Sequence, residues 1–367
     1  MALEYGDTRP TPMPTPRPRR FVSLAALAVL VAGGCAPTSD GHEIIRNEAG
    51  DPLVSTFSIV AVDTTTGEIG VAVQSKFPNV RFMVPTVVAG VGAVATQSFA
   101  RLAYGPEGIA MMAEGATAEE ALRISMRNDP DTGARQVGMV DAHGNAATFT
   151  GADAFAWRGG RVGGSDAIAT PGVVAVGHGY AAQGNILVSQ ETVDAIAETF
   201  EASTGTLAQR LTAALVAGGR AGGDKRGEQS AALVVHRKGA GYDGSDVIVD
   251  ISVYDHPTPL AELERLVALN DLYFTDSDPA DMIEVTPAIA RELQEIWIAR
   301  DFQYDGPADG VVDAEFQRIL TDYMGWENYD LRIDEVADVD LAAGETLRID
   351  REVLADIRDV FREGRYR

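Results

Sequence analysis

TFSIVAVDTTTGEIGVAVQSK, residues 56–76, decides how the chain folds. Phe57 to Val62 is an apolar run rich in β-branched residues. Asp63 to Glu68 is polar and contains Gly67, and Ile69 to Val73 is apolar again. Two such runs about a glycine-containing turn predict a β-hairpin. The ends of an antiparallel hairpin lie side by side. The hydroxyls of Thr56 and Ser58 are therefore expected at one end with the ammonium of Lys76. A hydroxyl is a poor nucleophile until a neighbouring base or cation activates it, so this end is the first candidate site. A plain core hairpin with exposed polar ends accounts for the same residues.

Outward from the hairpin the rhythm continues to about residue 256. A second pair of runs, 83–88 and 91–98, is followed by two helices, the second opening on Thr117 and Glu120 at capping-box spacing. Arg135–Asp141 and Ala146–Thr150 make a third pair about the turn Ala142-His143-Gly144-Asn145. A glycine-rich crossover leads to helices over Gln190–Ala202 and Thr206–Val216, whose apolar residues recur at helical spacing. The loop GGRAGGDKRGEQS precedes closing strands at 231–237 and 246–254. Strand pairs separated by helix pairs exclude a doubly wound parallel sheet, which alternates singly. The expected fold is α+β, a four-layer α-β-β-α sandwich of two antiparallel sheets with helices outside. A single antiparallel sheet with helices on one face is the second choice.

Leu260 to Phe274 reads as an amphipathic helix, and Thr275 to Pro279 as a polar, proline-terminated break. The sandwich domain is therefore placed at 55–278 and a small, mainly helical domain at 279–367. Thr286-Pro287 pairs an N-cap with proline at the first helical position, and further helices fit Asp313–Tyr323 and Glu352–Arg362. From 279 onward 22 acidic residues face 10 arginines, which weighs against any strongly anionic partner for this domain.

The whole chain of 367 residues is long enough for two globular domains. Its net charge of −24 argues against nucleic acid, whose phosphates need Lys and Arg, and against electrostatic docking on anionic lipid. With one cysteine, Cys35, no internal disulfide and no cysteine zinc cluster can form. The five histidines stand without a close pair at ligand spacing, and no HExxH, P-loop or GxSxG motif occurs. No metal and no cofactor is expected.

The N-terminus reads as a targeting segment. Arg17, Arg19 and Arg20 precede a short apolar run, Phe21 to Val31, too short to span a bilayer. Ala32-Gly33-Gly34 directly before Cys35 resembles a bacterial lipoprotein signal, which implies a signal peptide over 1–34, lipidation of Cys35 and a polar tether over 35–54. An ordinary secretory signal with a stray cysteine is the alternative, and translation from either Met1 or Met13 gives the same pattern. The expected place is the cell envelope, with a lipid anchor in the membrane.

Five segments stand in order along the sandwich region: TFSIVA (56–61), GVGAVATQSF (90–99), Tyr104-Gly105-Pro106, Gln183-Gly184-Asn185 and GDKRGEQSA (223–231). Together they resemble a bacterial family with the N-terminal-nucleophile (Ntn) hydrolase-like fold, itself the four-layer sandwich. GPADGVVD (306–313) and Trp326-Glu327-Asn328 are similar to a domain that some members carry at the C-terminus and that is named for peptidoglycan binding. The resemblance implies that Thr56 is the nucleophile and that its own α-amine, with an ordinary pKa of about 8, is the base. Lys76 would lower the pKa of the hydroxyl, with Ser58 beside it, and Asn185 or Gln97 would supply oxyanion donors. Asp224 and Arg226 would hold a charged substrate end, or each other. Tyr104 and Ser230 complete the substrate-binding candidates, core packing and a structural hydroxyl being their plainer roles. His178 reads as a loop residue, Trp157 as a site wall or a core cap, and Trp326 and Tyr329 as sugar platforms or core.

This chemistry requires Thr56 at a chain end, hence a cut after Ser55 that would also free the domain from its lipid. The expected function is that of an envelope lipoprotein cleaving an amide bond in a small-molecule or peptidoglycan-fragment substrate, with a wall-binding C-terminal domain. The other readings are a non-catalytic ligand- or peptidoglycan-binding lipoprotein with the same fold, and a structural lipoprotein associated with peptidoglycan. Exposed hairpin edges make a homodimer reasonable.

Overall fold

Phe57, Ile59 and Ala61 alternate with Ser58, Val60 and Val62 along strand β1 (Thr56–Asp63), and both sets are buried. A strand buried on both faces needs a layer on each. The computed structural model, which describes residues 56–364, supplies them. The signal, tether and Cys35 expected above lie outside the described residues.

β1 pairs antiparallel with β2 (Glu68–Ser75) about the predicted turn, where the Asp63 carboxylate accepts the N–H groups of Thr65 and Thr66. After the single-turn helix α1 (Val80–Met83) come β3 (Pro85–Val88) and β4 (Gly92–Ser98), then helices α2 (Tyr104–Ala113) and α3 (Ala118–Arg127). Strands β5 (Arg135–Asp141), β6 (Asn145–Thr150), β7 (Gly159–Val162), β8 (Val174–His178) and β9 (Tyr180–Asn185) follow. Helices α4 (Glu191–Ala202) and α5 (Leu207–Arg220) lead to β10 (Ser230–His236), β11 (Val247–Val253) and α6 (Pro259–Phe274). One sheet has the strand order β11-β10-β2-β1-β9-β7 and the other β3-β4-β5-β6-β8. Every pairing is antiparallel.

Three apolar clusters define four layers. Val60, Val62, Val71 and Val73 meet Ala93, Ala95, Val140 and Ala146 between the sheets. Phe57 and Ile59, on the other face of β1, pack under Ile196 of α4, Leu211 of α5 and Leu263 of α6. Val94, Val137 and Met139 pack under α2 and α3, against Tyr104, Met112 and Leu122. The α-β-β-α sandwich is therefore the fold, and α3 and α5 both start on reciprocal capping boxes, Thr117 with Glu120 and Thr206 with Gln209.

The crossover between β6 and α4 departs from expectation. Its glycine-rich stretch holds three strands, and β9 is the direct neighbour of β1. Several of its glycines stand where the strands approach too closely for side chains. A Cβ on Gly177 would stand 2.4 Å from the Gly163 carbonyl oxygen and 2.6 Å from Val162 Cβ.

Beyond α6, β12 (Met282–Glu284) pairs with β13 (Arg348–Asp350), among α7 (Pro287–Ala299), α8 (Ala314–Trp326), α9 (Asp334–Ala337) and α10 (Arg351–Glu363). Thr286 caps α7 with Pro287 behind it. Trp297, Phe316, Tyr323, Leu320 and Leu354 form a separate apolar cluster. α6 contributes to two cores: Leu260, Leu263 and Val267 to the sandwich, Leu272 to the C-terminal cluster.

Candidate functional site

Four polar residues stand in one row across the end of the larger sheet. Asn185 of β9 pairs with Thr56 of β1, Thr56 with Ser75 of β2, and Ser75 with Ser230 of β10. Opposed residues of antiparallel strands project to the same face. By alternation with Val60 and Val62, that face is the one between the sheets. All four are buried. The Thr56 and Ser75 hydroxyls are 3.0 Å apart, and Ser230 Oγ accepts the Val80 N–H at 3.1 Å.

Behind the row the intersheet space is polar. Ser58 Oγ donates to Gln97 Oε1 at 2.6 Å and accepts from Gln183 Nε2 at 2.7 Å. Thr148 Oγ1 donates to Gln183 Oε1 at 3.1 Å. Gln136 Oε1 accepts from Gln97 Nε2 at 2.8 Å and Asn185 Nδ2 at 2.9 Å. Its Nε2 donates to Thr150 Oγ1 and the Gly184 carbonyl, both at 2.8 Å. Gln97 Nε2 and Asn185 Nδ2 also reach the Thr56 carbonyl oxygen, at 3.2 and 3.4 Å. The end of β1 is thus held by neutral amides and hydroxyls, and an unsatisfied group at this depth would be costly.

Two backbone irregularities adjoin these amides. Ser98, directly after Gln97, has φ 67°, and Ile186, directly after Asn185, has φ 51°. Left-handed backbone at a β-branched residue is a true outlier, and such strain gathers where surrounding structure enforces it for function. The Ile186 N–H donates to the Phe155 carbonyl and its carbonyl accepts from Lys225, which fixes the turn.

The sequence-derived candidates divide. Thr56, Ser58, Gln97, Asn185 and Ser230 come together at this end. Lys76 lies just past β2 and is exposed, and the hydroxyl facing Thr56 is that of Ser75. Asp224 and Arg226 hold each other: the Asp224 carboxylate, its side chain fully buried, accepts from Arg226 Nη2 at 3.0 Å, the Arg226 N–H at 2.8 Å and the Lys76 N–H at 3.0 Å. That carboxylate pins the end of β2 to the glycine-rich loop. Tyr104 is fully buried among residues of α3, β4 and β5 on the outer face of the smaller sheet, away from the row. Burial beside the Asp129 carboxylate pushes its phenol pKa well up.

His178 ends β8 rather than lying in a loop, and lines a cavity of about 520 Å³ at the far end of β1, with Val62 and Tyr180. Trp157 caps the core under α4 and α5. Tyr329 is core, stacked on Tyr273 at 5.3 Å, whereas Trp326 is 69% exposed. Among the described residues no three His, Cys, Asp or Glu side chains gather as a metal site.

Residues 56–263, more than half of the chain, match the model of a family of unknown function, DUF1028. The chain belongs to DUF1028. It is similar to the crystal structure of protein SPO2555 from Silicibacter pomeroyi, assigned to the same family. The two are 29% identical with a TM-score of 0.51, over 59% of this chain and 86% of that one. No curated protein matches the chain.

The DUF1028 match begins at the first residue of β1 and ends inside α6, so it contains both sheets and the whole polar row. Within it, Ser75, Gln136, Gln183 and Thr148 are the site residues that sequence reasoning missed. Their signal was parity: each lies on the inward-facing set of its strand, Ser75 and Gln136 among small or apolar residues, Gln183 beside Asn185 and Thr148 beside Thr150.

Proposed function

We propose that the protein is an exported, lipid-anchored envelope protein whose sandwich domain cleaves an amide bond with Thr56 as nucleophile, and whose C-terminal unit holds peptidoglycan. The observation that carries this reading is the place of Thr56, first residue of the central strand β1, its hydroxyl 3.0 Å from that of Ser75. The chemistry begins with a cut. Thr56 Oγ attacks the Ser55 carbonyl carbon, the Thr56 nitrogen gains a proton and leaves as an amine, and water hydrolyses the resulting ester to a Ser55 carboxylate. In turnover the freed amine takes the hydroxyl proton as Oγ attacks the substrate carbonyl, then passes it to the departing nitrogen. Water releases the acid in the second half-reaction. The substrate class is a small amide or a wall-derived fragment.

The test is the intact mass and N-terminal sequence of protein recovered from its native membrane, beside a Thr56→Ala variant. A chain starting at Thr56, and a folded variant that neither cuts nor turns over amides, support the reading. A lipidated chain starting at Cys35 and uncut before Thr56 removes the mechanism.

One observation favours a second reading, a ligand-binding protein without turnover. Both hydrogens of the Gln97 and Asn185 amide groups are committed to Gln136 and the Thr56 carbonyl, leaving none for an oxyanion. Ligand binding that survives Thr56→Ala, with no turnover by either protein, would mark this case.

A further inference from the structure

Where α6 leaves the sandwich, a cavity of about 490 Å³ opens between the β10–β11 connection, the last turns of α6 and the segment after α8. Its volume falls in the range of about 300–1,000 Å³ usual for small-ligand sites. Tyr242 and Phe274 form one wall, edge to face at 6.0 Å, and both are more than half exposed. Ile251, Leu266 and Leu269 make an aliphatic floor. Asn270, Asn328 and Asp330 supply the polar atoms, and no Lys or Arg lines the cavity.

We propose that this cavity binds a saccharide ring carrying an acetamido substituent. The absence of cations among the lining residues disfavours an anionic ligand. Exposed aromatic rings suit the apolar face of a pyranose, and amide and carboxylate side chains suit its hydroxyls. The aliphatic floor gives the acetamido methyl an apolar seat that a plain hexose would leave empty. Asn270 Nδ2 is buried without a hydrogen-bond partner, so turning it to a ligand oxygen gains a bond and breaks none. Asn328 holds φ 68°, which Asn tolerates better than other side-chain-bearing residues, and this backbone sets the rim between Trp326 and Asp330.

The inference rests on the wall-binding part of the proposed function and narrows it to a ligand class and a place. It is independent of any reaction at Thr56.

The experiment is calorimetric titration of the purified full-length protein with N,N′-diacetylchitobiose and, separately, cellobiose, for the wild type, Tyr242→Ala, Phe274→Ala and Thr56→Ala. The proposal expects the acetamido disaccharide to bind at least tenfold more tightly than cellobiose. It expects each aromatic variant to lose tenfold or more, and Thr56→Ala to bind as the wild type. Both aromatic residues are largely exposed, so their removal leaves the fold intact, which circular dichroism checks. No binding of the acetamido sugar, equal binding of both sugars, or binding indifferent to Tyr242 and Phe274 would overturn it. Retention on purified peptidoglycan together with any of those results would leave wall binding standing through another surface and remove this site alone.

Discussion

Gln136 is the residue on which the polar end of the sandwich turns. One side chain accepts from Gln97 and Asn185 and donates to Thr150 and the Gly184 carbonyl. Gln136→Leu would leave those partners facing apolar carbon, and each stranded buried group costs about 1–3 kcal/mol. A loss of at least 2 kcal/mol in urea unfolding is expected (about 1 kcal/mol per group for two groups); a loss below about 0.5 kcal/mol would mean that the network relaxes freely. Asp129 contributes to the acid limb of stability. Burial pushes its carboxyl pKa up, but Arg135 at 2.8 Å and the Asp131 N–H outweigh burial and hold it below the ordinary carboxylate range. A depressed folded-state pKa means stability present above the unfolded value and lost as pH falls through the folded one. Asp129→Asn should therefore flatten the acid side of the Tm–pH curve while lowering Tm at neutral pH. A variant curve parallel to the wild type would refute the pair's role.

At the scale of elements, β7, β8 and β9 show how packing can erase the sequence signal of a strand. Gly177→Ala sets a methyl against the Gly163 carbonyl and Val162, where backbone cannot yield. It should cost about 1–3 kcal/mol, with hydrogen exchange accelerated in β8 before the central strands. The first hairpin, the helices α3 and α5 and the layer order were legible, because β-branched runs, the capping box of α3 and the apolar spacing of α5 are local signals. β9 was hidden, since YAAQGN has no β-branched residue and its polar ones face inward. The polar row was half legible for the same reason. Thr56 and Asn185 stood in motifs, but Ser75 and Gln136 become neighbours only through register.

For the whole molecule, α6 is the decisive element. Because it gives Leu263 to one core and Leu272 to the other, melting either cluster unseats the same helix. Unfolding should therefore be a single transition, with the fluorescence of Trp157 in the sandwich and of Trp297 in the C-terminal cluster moving together. Two resolved transitions in single-tryptophan variants would show that α6 does not couple them.

The register of β1 also sets an order in time. Thr56 is made first, yet its partner Asn185 lies 129 positions downstream, and the carboxylate that pins Lys76 lies 148 positions away. Contacts so distant reward the chain only after the entropy of closing long loops has been met. A partly synthesised chain can therefore pair β1 with β2 but cannot complete the polar row. That delay leaves the hairpin of β1 and β2 without neighbours on either edge until β9 and β10 have been made.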